Sequence, residues 1–204
     1  MKRRELLRGV VTLPAFIASS EWFAVDRPLG VRPFGITAVV YDERYGDCRS
    51  FAKTLERQGA VSFVTAGDAA SLWHGALRVS LARPGGSVAG MTPDSDWVVS
   101  RAYGREQGFE AAYEGSHDCR ASDHLIHRLR GSGARREVCA ELRYAQSPWA
   151  ESIARGLVQF WRRDGIRLGN DVALARADVV FTRRSPAHPG YLTSWLLCRP
   201  ALDG

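Results

Sequence analysis

The sequence predicts an α/β fold in which a mixed β-sheet forms the middle layer of a three-layer core. Two observations favour this fold. Strand-like and helix-like segments alternate in the first half of the chain, and short strand-like segments dominate the second half. We therefore expect parallel βαβ units in the first half and antiparallel hairpins in the second. An α+β sandwich is the alternative.

The elements of the first half follow from apolar runs and helix caps. A β-branched apolar run over 35–41 predicts a buried strand, and Asp47 is a suitable cap for a helix over 48–58. A second strand over 61–64 completes a strand–helix–strand unit. The next predicted elements are a helix capped by Asp68 and running through Leu72, Trp73 and Leu77, a strand over 87–91, and a helix over 94–107 opened by Thr92-Pro93.

The second half is predicted to contain mainly strands. Strands over 109–113 and 124–129 are expected on either side of a polar loop, 114–123, with a third strand over 138–144. A helix follows over 148–161, with Trp149, Ile153, Leu157 and Phe160 on one side. Segments 179–183 and 191–198 are predicted to form a hairpin around a proline-rich loop, 185–190.

Residues 1–20 have the three-part layout of a cleavable export signal, with a basic head, an apolar stretch from Gly9 to Ala18, and small residues. The apolar stretch is shorter than the roughly 20 residues of a membrane span. The segment Arg3-Arg4-Glu5-Leu6-Leu7 resembles the twin-arginine signal: two arginines, a variable residue and two apolar residues. A Sec signal with two incidental arginines and an uncleaved anchor are the alternatives.

The resemblance implies a location and a partner. A bacterial chain of this kind is exported already folded by the twin-arginine translocase, to the periplasm or the exterior. Cleavage is expected after Ser20, which leaves a mature form without a transmembrane span. Residues 21–34 are expected to be a tether and residues 35–204 a single α/β domain.

Charge and cysteine content narrow the function classes. The formal net charge is +6, but residues 1–20 carry four basic residues against one acidic residue, and the other arginines are scattered. Nucleic-acid binding is therefore not expected.

An even number of cysteines in an exported chain favours two disulfides in any of three pairings, with buried thiols as the alternative. The four cysteines are Cys48, Cys119, Cys139 and Cys198.

The first candidate site is a small-ligand cleft beyond the carboxyl ends of the parallel strands, where α/β sheets bind ligands. Asp42 and Arg44 follow the first predicted strand, Asp68 the second, and Thr92 and Ser95 the third. The alternative is that residues such as Asp68 and Ser95 only cap helices.

The second candidate site is a metal ion bound by histidines. His117, His124 and His127 lie within eleven residues, together with Cys119. His124 and His127 would point to opposite faces of a regular strand, which weakens a single shared site. Cys48, near a helix N-terminus, is a candidate nucleophile.

These features predict an exported, soluble protein that binds a small ligand or assists an envelope enzyme as a protein partner. The alternative is a metal-assisted hydrolase or an oxidoreductase component that uses the histidine region, with a metal ion as its cofactor. The sequence has no G-x-S-x-G elbow, no phosphate-binding G-x-x-x-x-G-K loop and no dinucleotide fingerprint.

Overall fold

The structure, a computed structural model, describes residues 35–82, 86–118, 124–131, 133–144, 148–164, 178–183 and 190–199. The predicted signal, the tether and Cys119 lie outside these residues.

The first half alternates strands and helices as predicted. The elements are β1 (Ala38–Tyr41), α1 (Gly46–Glu56), β2 (Val61–Val64), α2 (Ala69–His74), α3 (Ala76–Ser80), β3 (Ser87–Thr92) and α4 (Asp94–Glu106). The helix predicted through Leu77 is two short helices that meet at Gly75. Asp47 does not cap α1, because the helix begins one residue earlier and places Asp47 in its first turn.

The second half contains one more helix than predicted. Its elements are β4 (Glu110–Asp118), β5 (His124–Gly131), α5 (Gly133–Tyr144), α6 (Trp149–Asp164), β6 (Asp178–Arg183) and β7 (Tyr191–Cys198). The strand predicted over 138–144 is wrong, since these residues belong to α5. Ala134, Val138 and Leu142 are buried at intervals of four, which is the helical period and not the strand period.

All seven strands form one mixed sheet in the order β2-β1-β3-β7-β4-β5-β6. Strands β2, β1 and β3 are parallel, and the other neighbouring pairs are antiparallel, which confirms the predicted fold class. The β4–β5 pair is confirmed. The predicted hairpin of β6 and β7 is wrong, because β7 inserts between β3 and β4 while β6 pairs with β5 at the edge.

Helices cover both faces of this sheet. One buried apolar cluster lies between the sheet and α1, α5 and α6, and the second lies between the sheet and α2, α3 and α4. The two clusters establish the predicted three layers. Among the described residues, no helix combines the length and the apolar character that crossing a membrane requires.

A β-bulge in β4 decides which side chains face α6. Ala111 pairs with Leu197 and Tyr113 with Leu196, so Ala112 is an extra residue in β4. Ala111 packs on the α4 side, whereas Ala112 and Tyr113 both belong to the cluster on the α6 side. The bulge shifts by one residue the alternation of side chains between the two faces of the sheet. The buried residues Tyr113, Gly115 and His117 are therefore all on the α6 side.

Candidate functional site

The loops after β1, β2 and β3 lie at one edge of the sheet, as the sequence predicted. The three strands are parallel, and Tyr41, the last residue of β1, is in register with Val64 at the end of β2 and Met91 near the end of β3. We refer to this edge as the carboxyl edge. It is the place where α/β sheets bind ligands.

Asp42 and Arg44 form a hydrogen-bonded ion pair at the carboxyl edge. Asp42 is fully buried, and its Oδ1 accepts hydrogen bonds from the backbone N–H of Arg44 at 3.0 Å and from Arg44 Nε at 2.9 Å. Arg44 Nη2 donates to Asp42 Oδ2 at 2.5 Å. The Arg44 side chain remains 57% exposed, so a buried carboxylate orients a guanidinium that faces solvent.

The pair also sets the protonation of its members. Burial alone raises the pKa of Asp42, but the hydrogen bonds and the charge of Arg44 outweigh burial and lower that pKa below its usual value. The hydrogen bond to Asp42 in turn raises the pKa of Arg44. Both groups therefore stay ionised across the physiological pH range.

The other three predicted residues lie at the same edge in different roles. Asp68 Oδ1 accepts from the backbone N–H of Ser71 at 3.0 Å and so caps α2. Thr92 is fully buried, and its Oγ1 accepts from Trp195 Nε1 at 3.3 Å. Ser95 is exposed in the first turn of α4. In the described part of the chain, no hydrogen bond links these side chains to Asp42 or Arg44.

Asp96 is a buried polar residue near the carboxyl edge that the sequence analysis did not single out. It is only 5% exposed, and its Oδ2 has no hydrogen-bond partner among the described residues. Ser100, one turn further along α4, is fully buried, and its Oγ likewise has no described partner. Each such buried group costs about 1–3 kcal/mol unless a ligand or water satisfies it. The signal in the sequence is two polar residues four apart on the stripe that also contains the buried Trp97.

The second candidate region contains two histidines in direct contact. His117 of β4 and His127 of β5 are opposite each other in the antiparallel pair, and both are fully buried. Their Nδ1 atoms are 2.8 Å apart. The indole of Trp149, at the start of α6, covers both rings, with centroids at 4.8 Å from His117 and 5.2 Å from His127.

These histidines are the centre of a buried hydrogen-bond chain. Ser194 Oγ lies 2.7 Å from His117 Nε2 and 3.0 Å from the Tyr113 hydroxyl, and Thr182 Oγ1 lies 2.8 Å from His127 Nε2. We call Tyr113, Ser194, His117, His127 and Thr182 the histidine chain. A hydrogen bond between two Nδ1 atoms requires one donor and one acceptor, so the chain can be polarised in either direction.

The histidine chain does not match the predicted three-histidine metal site. His124 is exposed at the start of β5, because the side chains of Leu125 and His127 take the inward positions of that strand. An Nδ1–Nδ1 distance of 2.8 Å fits a hydrogen bond, whereas two nitrogens on one tetrahedral zinc lie about 3.3 Å apart. Within the described residues, no group of three or more His, Cys, Asp or Glu side chains could hold a metal ion.

The described cysteines are buried thiols. Cys48, Cys139 and Cys198 are not in disulfides, so the two expected disulfides are not seen in this part of the chain. Burial raises the pKa of Cys48 and of Cys198, and it raises the pKa of Cys139 to about 11. A nucleophilic cysteine needs a lowered pKa, so the structure opposes the catalytic interpretation of Cys48.

Comparison of the chain with protein-family models, with curated proteins and with solved structures finds no match. The chemistry of the carboxyl edge and of the histidine chain is therefore the basis for assigning a function.

Proposed function

We propose that the protein is an exported binding protein that holds a small ligand at the carboxyl edge, with Arg44 as the anchor for an anionic group of that ligand. The observation that carries the proposal is the orientation of the exposed Arg44 guanidinium by the buried Asp42 carboxylate. Asp42 uses the Nε and Nη2 edge of the guanidinium and leaves Nη1 for a carboxylate or phosphate oxygen.

The surroundings of Arg44 support a ligand site. Arg44 lies beside Gly67 in the turn after β2. A Cβ atom added to Gly67 would be 3.7 Å from Arg44 Nη2, which is van der Waals contact distance. Ala66 and Gly67 both have positive φ, at 46° and 86°, and form the tight turn that brings the backbone close to the guanidinium. A preorganised cation beside a tight turn binds an anion without the cost of ordering a long side chain.

The proposal predicts that Arg44→Ala abolishes ligand binding. Native mass spectrometry of the protein isolated from the periplasm of its host should show one bound small molecule per chain, and the Arg44→Ala protein should lack it. Arg49→Ala is the matched control, because Arg49 is an exposed arginine of the same segment whose guanidinium donates to the Glu43 carbonyl. A bound molecule retained by Arg44→Ala, or a wild-type chain without one, would contradict the proposal.

A second candidate function is a metal-assisted hydrolase or oxidoreductase component that uses the histidine region. The observation behind it is the burial of two neighbouring imidazoles, His117 and His127, although a metal ion would have to separate the two Nδ1 atoms that are now at hydrogen-bond distance. Elemental analysis of the native protein tests it. This function requires a stoichiometric metal ion that His117→Asn or His127→Asn removes, while His124→Asn, at the exposed position, retains it. A metal-free wild-type chain, or a metal ion that both buried variants retain, rules this candidate out.

A further inference from the structure

The oxygen of Asp96 that has no described partner belongs to the same edge of the sheet as Arg44. Asp96 is in the first turn of α4, directly after β3, and therefore at the carboxyl edge. After the larger effects of Asp42, the negative charge of Asp96 also contributes to the raised pKa of Arg44. Arg44 Nη2 faces Gly67, two residues before α2 begins, and Asp96 lies on the side of α4 that is turned towards α2. No hydrogen bond between described residues joins Asp96 Oδ2 to any group.

Ser100 extends the same polar stripe. It is four residues after Asp96, and Tyr103 is three residues further, so the three side chains share one face of α4. Tyr103 contacts the ring of His74 in α2, with ring centroids at 4.6 Å, which shows that this face is turned towards α2. The carboxyl edge therefore combines a fixed cation with the buried Asp96 oxygen, and Ser100 adds a second buried oxygen without a described partner one turn further along α4.

The balance of charge defines the group that Asp96 would bind. Asp42 already offsets much of the charge of Arg44, and the exposed carboxylates of Glu43, Asp68 and Asp94 belong to the same loops. A ligand with only negative charge would therefore meet net repulsion at this edge. A carboxylate accepts hydrogen bonds and does not donate them, so its partner must be a donor, and a positively charged donor relieves the repulsion as well.

We propose that the ligand is a small zwitterion of the amino-acid type, whose carboxylate binds Arg44 and whose ammonium group binds Asp96. This inference rests on the proposed function, since it adds a second contact to the site that Arg44 defines. An N–H donor of the ammonium group supplies the hydrogen bond that Asp96 Oδ2 lacks among the described residues.

Calorimetric titration of the wild-type protein tests the inference without any variant. The probes are the proteinogenic amino acids, each paired with the analogue in which hydrogen replaces the ammonium group. We expect at least one amino acid to bind, and its desamino analogue to bind at least about tenfold more weakly. An analogue that binds as tightly as its amino acid overturns the zwitterion but leaves the binding function of Arg44 intact. If neither series binds, the zwitterion fails, and the native mass measurement then decides separately whether another ligand occupies the site.

The variant Asp96→Asn assigns the contact to a residue. It should weaken amino-acid binding at least about tenfold, and it should not weaken binding of the desamino analogue, for which it removes a repulsive charge. Asp94→Asn is the matched control, because Asp94 is an exposed carboxylate of the same helical turn that accepts from Thr193 Oγ1 at 3.3 Å. Equal losses in the two variants, or no loss in Asp96→Asn, would overturn the role of Asp96.

Discussion

Ser194 connects side chains that are far apart in the sequence. Its hydroxyl meets the ring of His117, 77 residues away, and the hydroxyl of Tyr113, 81 residues away. Burial raises the pKa of Tyr113, so its phenol stays protonated and can donate to Ser194. Ser194 therefore joins β7 to β4 through side chains as well as through the backbone ladder.

We predict that Ser194→Ala destabilises the protein by about 1–3 kcal/mol, because it deprives the buried Tyr113 hydroxyl of its described partner. Ser100→Ala is the matched control, because Ser100 is equally buried and its hydroxyl has no described hydrogen bond. The control should be neutral or slightly stabilising, since alanine also favours the helix. Urea unfolding of both variants measures the difference, and equal free energies of unfolding would contradict the role of Ser194.

Residues whose contacts are to near neighbours in the sequence could be predicted. Residues whose contacts are to distant parts of the chain could not. Asp42 and Arg44 are two residues apart after a strand, and their pairing follows from that position. The partners of His117 and His127 could not be predicted, since Ser194 and Thr182 become neighbours only through the strand order. Asp96 was missed because neighbouring Asp94 and Ser95 fit the familiar role of helix caps.

Helices and strands were predictable where the apolar residues of a segment repeated with a single spacing. The strands and helices of the first half have clear apolar runs bounded by glycine or a cap, and α6 has one continuous apolar side. Helix α5 was mistaken for a strand because apolar residues occupy every second position of the short window 138–144, as in a strand, while Ala134, which extends the spacing of four, lies outside it. The bulge at Ala112 has no signature in the sequence, although it turns Tyr113 and His117 towards α6.

Gly131 is the residue that permits this bulge. It has a φ of 121°, and a Cβ at this position would collide with the carbonyl oxygen of Ala112. We predict that Gly131→Ala costs about 1–3 kcal/mol of backbone strain and, in addition, about 1–3 kcal/mol of overpacking. Gly108→Ala is the matched control, because Gly108 has a φ of 79° but no atom within 4 Å of an added Cβ.

Thermal and urea unfolding of the two glycine variants separate strain from crowding. Gly108→Ala should show the cost of positive φ alone, and Gly131→Ala should be less stable than that control. If the two variants lose the same stability, the close approach of Gly131 to the bulge has no energetic importance.

At the scale of the whole molecule, both candidate sites lie at the same edge of the sheet. Thr92 of β3 and Ser116 of β4 are both in register with Thr193, so His117 is as close to this edge as the loop that leads into α4. Asp96 belongs to α4, on one face of the sheet, whereas the histidine chain lies beneath α6 on the other face. The parallel strands made it predictable that the loops after β1, β2 and β3 lie at one edge, but the insertion of β7 between β3 and β4 was not predictable.

We expect the arginine pair in residues 1–20 to determine the export of the whole molecule. If residues 1–20 are a twin-arginine signal, Arg3→Lys combined with Arg4→Lys should retain the chain in the cytoplasm, because the translocase recognises the arginine pair and lysine keeps only the charge. Arg8→Lys, outside the pair, is the control and should be exported. Cell fractionation and the mass of the periplasmic species test this, with residue 21 as the expected first residue. Export of the double variant at the wild-type level would exclude the twin-arginine route and leave Sec as the route to examine.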